Sequence, residues 1–287
     1  MAQTAQDLHP TSPRTFHHGI TYTSYQGNTF ALKFNTSGSR ILVDPWLVGD
    51  LTFMEQTWLY RGLKNDTAQV VNVKQILDET DLIILTQSLD DHTHLPTLKL
   101  LPRDIPIIAN PDAAARIAPL GFTNVLTIEH GQTRVACDGR VKITATAGAL
   151  VGPPWSKRQS GIVFQETTPG AVSVYYEPHC DFEDSSVRAI SPVDVVISPV
   201  KSVIMQIGPI PYPLVQGDLN LMKLMKMLKP KVLIPLLNTE TKQEGPLALL
   251  LSERGDYQRV AQELQEAGLS TRVEFPAPSG EALAIAL

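Results

Sequence analysis

At 287 residues and 43 % hydrophobic content, the chain has the size and composition of a globular protein that buries a sizeable core. Its 24 Lys and Arg are scattered among 29 Asp and Glu, net charge −5, so no basic face that would neutralise a phosphate backbone is expected and nucleic acid is excluded as a partner. Cys137 and Cys180 form no CxxC pair and make no disulfide framework, which predicts a reducing compartment, the cytoplasm.

The opening MAQTAQDLHPTSPR is polar and lacks the apolar centre of a signal peptide, and no later apolar stretch is long enough for a membrane span. Residues 1–15 therefore read as a flexible N-terminal tail and 16–287 as a single domain. Strands are expected at 20–25, at 30–34, where Phe30, Leu32 and Phe34 face one way and Ala31 and Lys33 the other, and at 41–43, where Pro45 ends the run. Together they form an antiparallel meander.

Short buried strands are predicted at 81–86 and 105–109, followed by a helix over 111–121 with Pro at its start and Gly after its end. Further strands are predicted at 141–147, 161–166, 171–177 and 193–200. A helix at 218–229 places Leu221, Leu224, Met225 and Leu228 on one face, with Asp218 or Asn220 as its cap and Pro230 as its end. The strand KVLIPL, a helix carrying Tyr257, Val260, Ala261 and Leu264 on one face, and a strand around 272–275 complete the pattern. The proline-rich stretch 204–214 reads as an apolar connection, with Ile207, Ile210 and Tyr212 serving as a lid, a dimer interface or plain packing.

The chemistry is concentrated in LTQSLDDHTH, residues 85–94, where a buried strand runs into Asp90, Asp91, His92 and His94. Strand ends hold ligands rigidly, and carboxylate with imidazole suits zinc, iron or manganese. Asp91 and His92 can face one centre; the alternative is a solvated turn capping a helix that begins near Pro96. GxSxG, a glycine-rich phosphate loop and a dinucleotide fingerprint are all absent from the sequence.

In order, ITYTSYQGNTFALKF, RILVDPWLVG, LTQSLDDH, SVYYEPH and LMKLMKMLKPKVLIPL resemble the metallo-β-lactamase superfamily, in its lactonase-like hydrolase branch, over about residues 20–240. The resemblance implies a four-layer αββα sandwich with a metal centre on loops at one edge of two sheets. It also implies that the centre is reduced. The family's two leading histidines fall on Gln87 and Leu89, the next on Ala147 or Gly148, the last near Leu237 or Asn238, and the metal-bridging Asp on His179. Only Asp91 and His92 persist in kind.

The resemblance thus leaves a mononuclear centre of Asp91, His92 and His179, with His94 as a fourth ligand or neighbour and Asp90 or Glu177 taking a proton from water. The alternative is a metal-free cluster in which His179 bonds a carboxylate such as Asp91. Lys157 and Arg158 are expected to bind a carboxylate or phosphate, with Trp155 covering it, unless 152–161 is an ordinary exposed loop. The expected function is hydrolase-like, on a small-molecule ester, lactone or phosphoester; the other class is a catalytically inactive member of the fold that binds a ligand or a protein. Association into a homo-oligomer is compatible with either.

Overall fold

The computed structural model describes residues 18–52, 56–64, 72–151, 155–168, 170–207 and 209–287. The expected tail and His17 lie outside the described residues, as do 152–154 of the expected substrate loop and the side chain of Ile207.

The chain opens with β1 (Gly19–Ser24), β2 (Phe30–Phe34) and β3 (Arg40–Val43), then a small pair, β4 (Leu51–Thr52) and β5 (Arg61–Leu63). Helix α1 (Val73–Asp78) leads to β6 (Leu82–Leu85), α2 (Leu95–Leu98), β7 (Ile107–Ala109), α3 (Pro111–Ile117) and β8 (Val125–Thr127). The second half begins β9 (Thr133–Ala136), β10 (Val141–Ala147), β11 (Ser160–Glu166), β12 (Ser173–Tyr176), α4 (Asp184–Arg188) and β13 (Val195–Ser198). It continues with β14 (Ser202–Ile207), β15 (Ile210–Gln216), α5 (Gly217–Leu228), β16 (Val232–Pro235), β17 (Lys242–Glu244), β18 (Leu251–Arg254), α6 (Val260–Glu266), β19 (Arg272–Val273) and β20 (Ala282–Ala286).

These strands build two seven-stranded sheets, in the orders β20-β1-β2-β3-β6-β7-β8 and β19-β16-β13-β12-β11-β10-β9. Each is half antiparallel and half parallel. In the first, β1, β2, β3 and β20 are antiparallel while β3, β6, β7 and β8 run parallel. The second repeats this with β9 to β12 antiparallel and β12, β13, β16 and β19 parallel.

The inner faces meet in one core of Phe30, Leu32, Phe34, Ile41, Ile84, Ile143, Phe164, Tyr176, Ile197 and Ile234. The outer face of the first sheet packs Ala31, Leu42, Ile83 and Leu85 against Ile76, Leu98 and Ile117 of α1, α2 and α3. The outer face of the second packs Tyr175, Val196 and Leu233 against Leu221, Leu224, Met225, Val260 and Leu264 of α5 and α6. Helix, sheet, sheet, helix is the expected αββα sandwich, and among the described residues no helix is long and apolar enough to cross a membrane.

Several expected elements change. Ala31 is buried under the helices, so β2 is covered on both faces except at Lys33. Helix α5 starts at Gly217 with no side-chain cap, because Asp218 pairs with Arg254 at 3.4 Å and Asn220 donates to the Cys180 carbonyl at 3.0 Å. Ala261 is exposed rather than on the buried face of α6. The connection at 204–214 is a hairpin, β14 with β15, in a separate three-stranded sheet with β18.

Candidate metal centre

The strand ends gather the site. The turn before β2 supplies Asn28, the end of β3 Asp44, the loop after β6 Asp90 to His94, the end of β12 Glu177 and His179, and the end of β16 Asn238. The antiparallel and parallel halves of each sheet meet near these strands, and such breaks in strand order are where loops of α/β sheets converge.

Asp44 sits at the centre of the polar network. It is wholly buried and adopts φ 45°, a left-handed conformation that turns the chain sharply before Pro45. Its Oδ1 accepts from the Thr86 backbone N–H at 2.8 Å; its Oδ2 accepts from the Thr86 hydroxyl at 2.7 Å, His92 Nδ1 at 2.7 Å and the Tyr176 hydroxyl at 3.1 Å. Burial pushes the Tyr176 phenol well above its ordinary pKa, so it stays a donor. Four donors on one carboxylate fix the His92 ring with Nδ1–H on Asp44 and the Nε2 lone pair toward the loop edge.

His179 is held the same way. Its Nδ1–H donates to the Leu214 carbonyl at 2.7 Å, and its Nε2 is buried with no partner among the described residues. The two imidazoles stack with centroids 5.5 Å apart. Burial and the neighbouring His92 push His179 down to about 4, so it stays neutral near pH 7. Burial also opposes charge on His92, but the Asp91 and Asp44 carboxylates outweigh it and raise its pKa above the ordinary value.

Asp91 completes the group: Oδ2 lies 3.5 Å from His92 Nε2 and accepts from Asn28 Nδ2 at 2.9 Å, whereas Oδ1 has no partner among the described residues. The same Asn28 amide lies 3.1 Å from His92 Nε2. Asn238 Nδ2 donates to Asn28 Oδ1 at 3.2 Å and to the Pro178 carbonyl at 3.0 Å, which leaves its Oδ1 buried and without a partner among the described residues. The structure therefore brings Asp91, His92 and His179 together and adds Asn28 and Asp44, which the motif reading did not single out, and Asn238, which it marked only as a place of the family's last histidine.

The other expected residues are engaged elsewhere. His94 caps α2, its Nδ1 at 2.9 Å from the Thr97 hydroxyl and its Nε2 at 3.3 Å from the Asp50 carbonyl, so both ring nitrogens are spoken for. Asp90 is ion-paired with Arg116. Glu177 is wholly buried, and its Oε2 accepts from the backbone N–H groups of His179 at 3.0 Å and Asp181 at 3.1 Å. Burial, reinforced by Asp181, raises its pKa to about 8, so near neutrality it is a protonated acid and not a base.

Gly148 explains why histidine is missing there. A Cβ would stand 2.7 Å from the Gly161 nitrogen and 3.0 Å from Glu177 Oε1, so the space is filled by backbone and a carboxyl group. Gln87, in the place of the first family histidine, is also fully buried, and neither atom of its amide has a partner among the described residues.

A cleft of about 690 Å³ opens beside Gly148, lined by His130, Ala147, Lys157, Arg158, Ser160 and Ser186 among others. Asp91, His92 and His179 do not line it. Lys157 is exposed on its rim, and Trp155 is 84 % exposed and not among the described residues that line the cleft. Arg158 is a strut: it donates to the Gly148 carbonyl at 2.6 Å and pairs with Asp181 at 3.2 Å and Glu183 at 3.4 Å.

Among the described residues no three His, Cys, Asp or Glu side chains form a ready-made cage for an ion. The donor chemistry nevertheless fits a cation. His179 Nε2, Asp91 Oδ1 and Asn238 Oδ1 are buried acceptors without donors among the described residues, and His92 Nε2 is an acceptor met by the Asn28 amide. Such a concentration of unpaired lone pairs is costly unless water or a positive ion satisfies it.

A model of the beta-lactamase superfamily domain matches residues 21–237. A search of curated proteins gave no match. Among solved structures, an isothiocyanate hydrolase from Delia radicum gut bacteria aligns at 18 % identity and TM-score 0.64, over 93 % of this chain and 99 % of that one. A possible metal-dependent hydrolase from Veillonella parvula aligns at 17 % and 0.63, over 93 % and 100 %. Igni18, a metallo hydrolase from Ignicoccus hospitalis, aligns at 16 % and 0.62, over 93 % and 99 %. At such identities the likeness concerns the fold.

Proposed function

The chain belongs to the beta-lactamase superfamily, and on that footing we propose that it is a metal-dependent hydrolase of small-molecule esters, lactones or phosphoesters, with a reduced centre for one zinc, iron or manganese ion. Asp91, His92 and His179 would hold the ion. One observation carries the reading: two buried imidazoles, anchored through Nδ1 on Asp44 and on the Leu214 carbonyl, keep Nε2 for other partners, that of His179 with none among the described residues and that of His92 3.5 Å from Asp91 Oδ2. Anchoring of the remote ring nitrogen is the arrangement that prepares histidine for a metal.

When bound, the ion supplies Lewis acidity toward a carbonyl or phosphoryl oxygen. The chain's own groups do the rest. Asp44 holds the His92 ring in one tautomer, Arg158 ties the cleft wall to the loop at 181–183, and Lys157 on the rim attracts a carboxylate or phosphate of the substrate. Asp91 Oδ1 orients the attacking water. The neighbouring solved hydrolases agree with this reading at the level of the fold, and the isothiocyanate named for one of them is a substrate of that protein alone.

The test is elemental analysis of protein purified without a nickel step, wild type against His179→Ala, followed by a panel of lactones and phosphoesters. About one equivalent of metal, lost in the variant together with turnover, is expected; equal metal content in both sinks the assignment. A second reading, a silent member that binds a ligand in the cleft, is favoured by one observation. The Asn28 amide bridges Asp91 Oδ2 and His92 Nε2, so two of the three side chains already share a protein partner.

A further inference from the structure

We infer that Asn28 is an internal competitor for the metal position, a latch whose amide must swing away before an ion can be held. The inference rests on the reading of Asp91, His92 and His179 as the ion's ligands and adds what controls their occupancy.

The geometry is specific. One NH2 group has two hydrogens, and here they meet two acceptors: Asp91 Oδ2 at 2.9 Å and His92 Nε2 at 3.1 Å, atoms that are themselves 3.5 Å apart. Those are the atoms a shared cation would contact. While Asn28 stays, its amide occupies the approach to both His92 Nε2 and Asp91 Oδ2, and an imidazole nitrogen has no second lone pair to offer a cation.

The orientation of the amide is set by a directional chain. The Pro178 carbonyl can only accept, so Asn238 presents Nδ2 to it and, with its other hydrogen, to Asn28 Oδ1. Asn28 is then obliged to present Nδ2 to Asp91 and His92. A flipped Asn28 amide would set oxygen against the Asp91 carboxylate, and NH2 against the Asn238 NH2, losing the bonds that Asn28 makes to Asp91 and Asn238.

The backbone beneath is stiff. Asn28 is 4 % exposed on the tight turn between β1 and β2, which is closed by Tyr25 N–H to the Thr29 carbonyl at 2.9 Å and Thr29 N–H to the Gln26 carbonyl at 3.1 Å. Gly27 takes φ 59°, and a Cβ there would touch the Trp46 ring at 3.1 Å. Release of the latch is thus a side-chain rotation and not a loop movement. It would free Asn28 from two acceptors at once, and the cost in metal affinity is the strength of those bonds.

The experiment titrates zinc against a competing fluorescent chelator into metal-free wild type, Asn28→Ala and Asn28→Ser, the serine being too short to span both acceptors. Circular dichroism checks folding, and His92→Ala in the Asn28→Ala background reports whether the ion sits at this place. Both Asn28 variants are expected to bind zinc about tenfold tighter or more than wild type, with the gain erased by His92→Ala. Binding in Asn28→Ala equal to or weaker than in a zinc-binding wild type overturns the latch and leaves the metal reading standing. Binding in the variants alone supports the latch and removes the hydrolase reading from the native chain. No binding in any of the proteins overturns both.

Discussion

His92 Nδ1 and Asp44 Oδ2 meet at 2.7 Å with neither side chain exposed to solvent. The carboxylate also takes bonds from Thr86 and Tyr176, so it joins both sheets: Asp44 follows β3 of the first and Tyr176 lies on β12 of the second. Removing it should therefore affect fold and site together. Asp44→Ala removes the buried acceptor shared by Thr86, His92 and Tyr176 and is expected to cost about 3–5 kcal/mol. Metal affinity, where measured on the folded fraction, should fall about 10–100-fold, as for other groups that orient a ligand histidine. A denaturant midpoint and metal titration unchanged from wild type would show that the network does neither.

Gly148 makes a different prediction. Restoring the family's histidine by Gly148→His should not restore a second metal, because the Cβ alone already crowds the Gly161 nitrogen and Glu177 Oε1. Gly148→Ala is expected to cost about 1–3 kcal/mol through overpacking. A histidine variant that gains a second equivalent of metal at native stability would mean that this loop relaxes freely.

The site and the fold were legible in the sequence to different degrees. β10 runs over the expected Val141–Ala147, since its alternation is uninterrupted and bounded by polar turns. The hairpin β14–β15 was hidden by Pro211 and Pro213. Both lie on β15, an edge strand paired only with β14, where a missing N–H costs no ladder bond on the open side. The loop Asp91–His92 announced itself by composition, and His179 by resemblance. Asp44 and Asn28 did not, and Asn238 was marked only as the place of a missing histidine. An Asp before Pro reads as a strand stop and an Asn beside Gly as a turn; only the spatial meeting of three separate strand ends gives them their partners.

The cysteines lead to a prediction about pH. Burial raises the Cys137 thiol to about 11 and pushes Cys180 higher still, out of the range reached in ordinary buffers. A raised thiol pKa keeps the group protonated until the pH climbs to that value, so at pH 8 only about one part in a thousand of Cys137 is thiolate. Neither residue is expected to react with a disulfide reagent within minutes at pH 8, and both should react after denaturation. Rapid native labelling of Cys180 would show it to be an accessible nucleophile.

Lys157 and Arg158 are neighbours with opposite expected roles. Arg158 spans the Gly148 carbonyl, Asp181 and Glu183 with a rigid fork, a set of contacts that lysine cannot reproduce. Arg158→Lys and Arg158→Ala should therefore both loosen the cleft wall, lowering stability by about 1–2 kcal/mol and turnover with it. Lys157, exposed on the rim, should be neutral for stability. Its replacement by Ala is expected to raise KM for anionic substrates several-fold while leaving kcat and neutral substrates unchanged, because a surface charge stabilises the bound ground state and the transition state alike. Thermal melts beside KM and kcat on paired anionic and neutral esters separate the two residues. A stability loss in Lys157→Ala, or a selective KM effect in Arg158→Lys without one, would reverse the assignment.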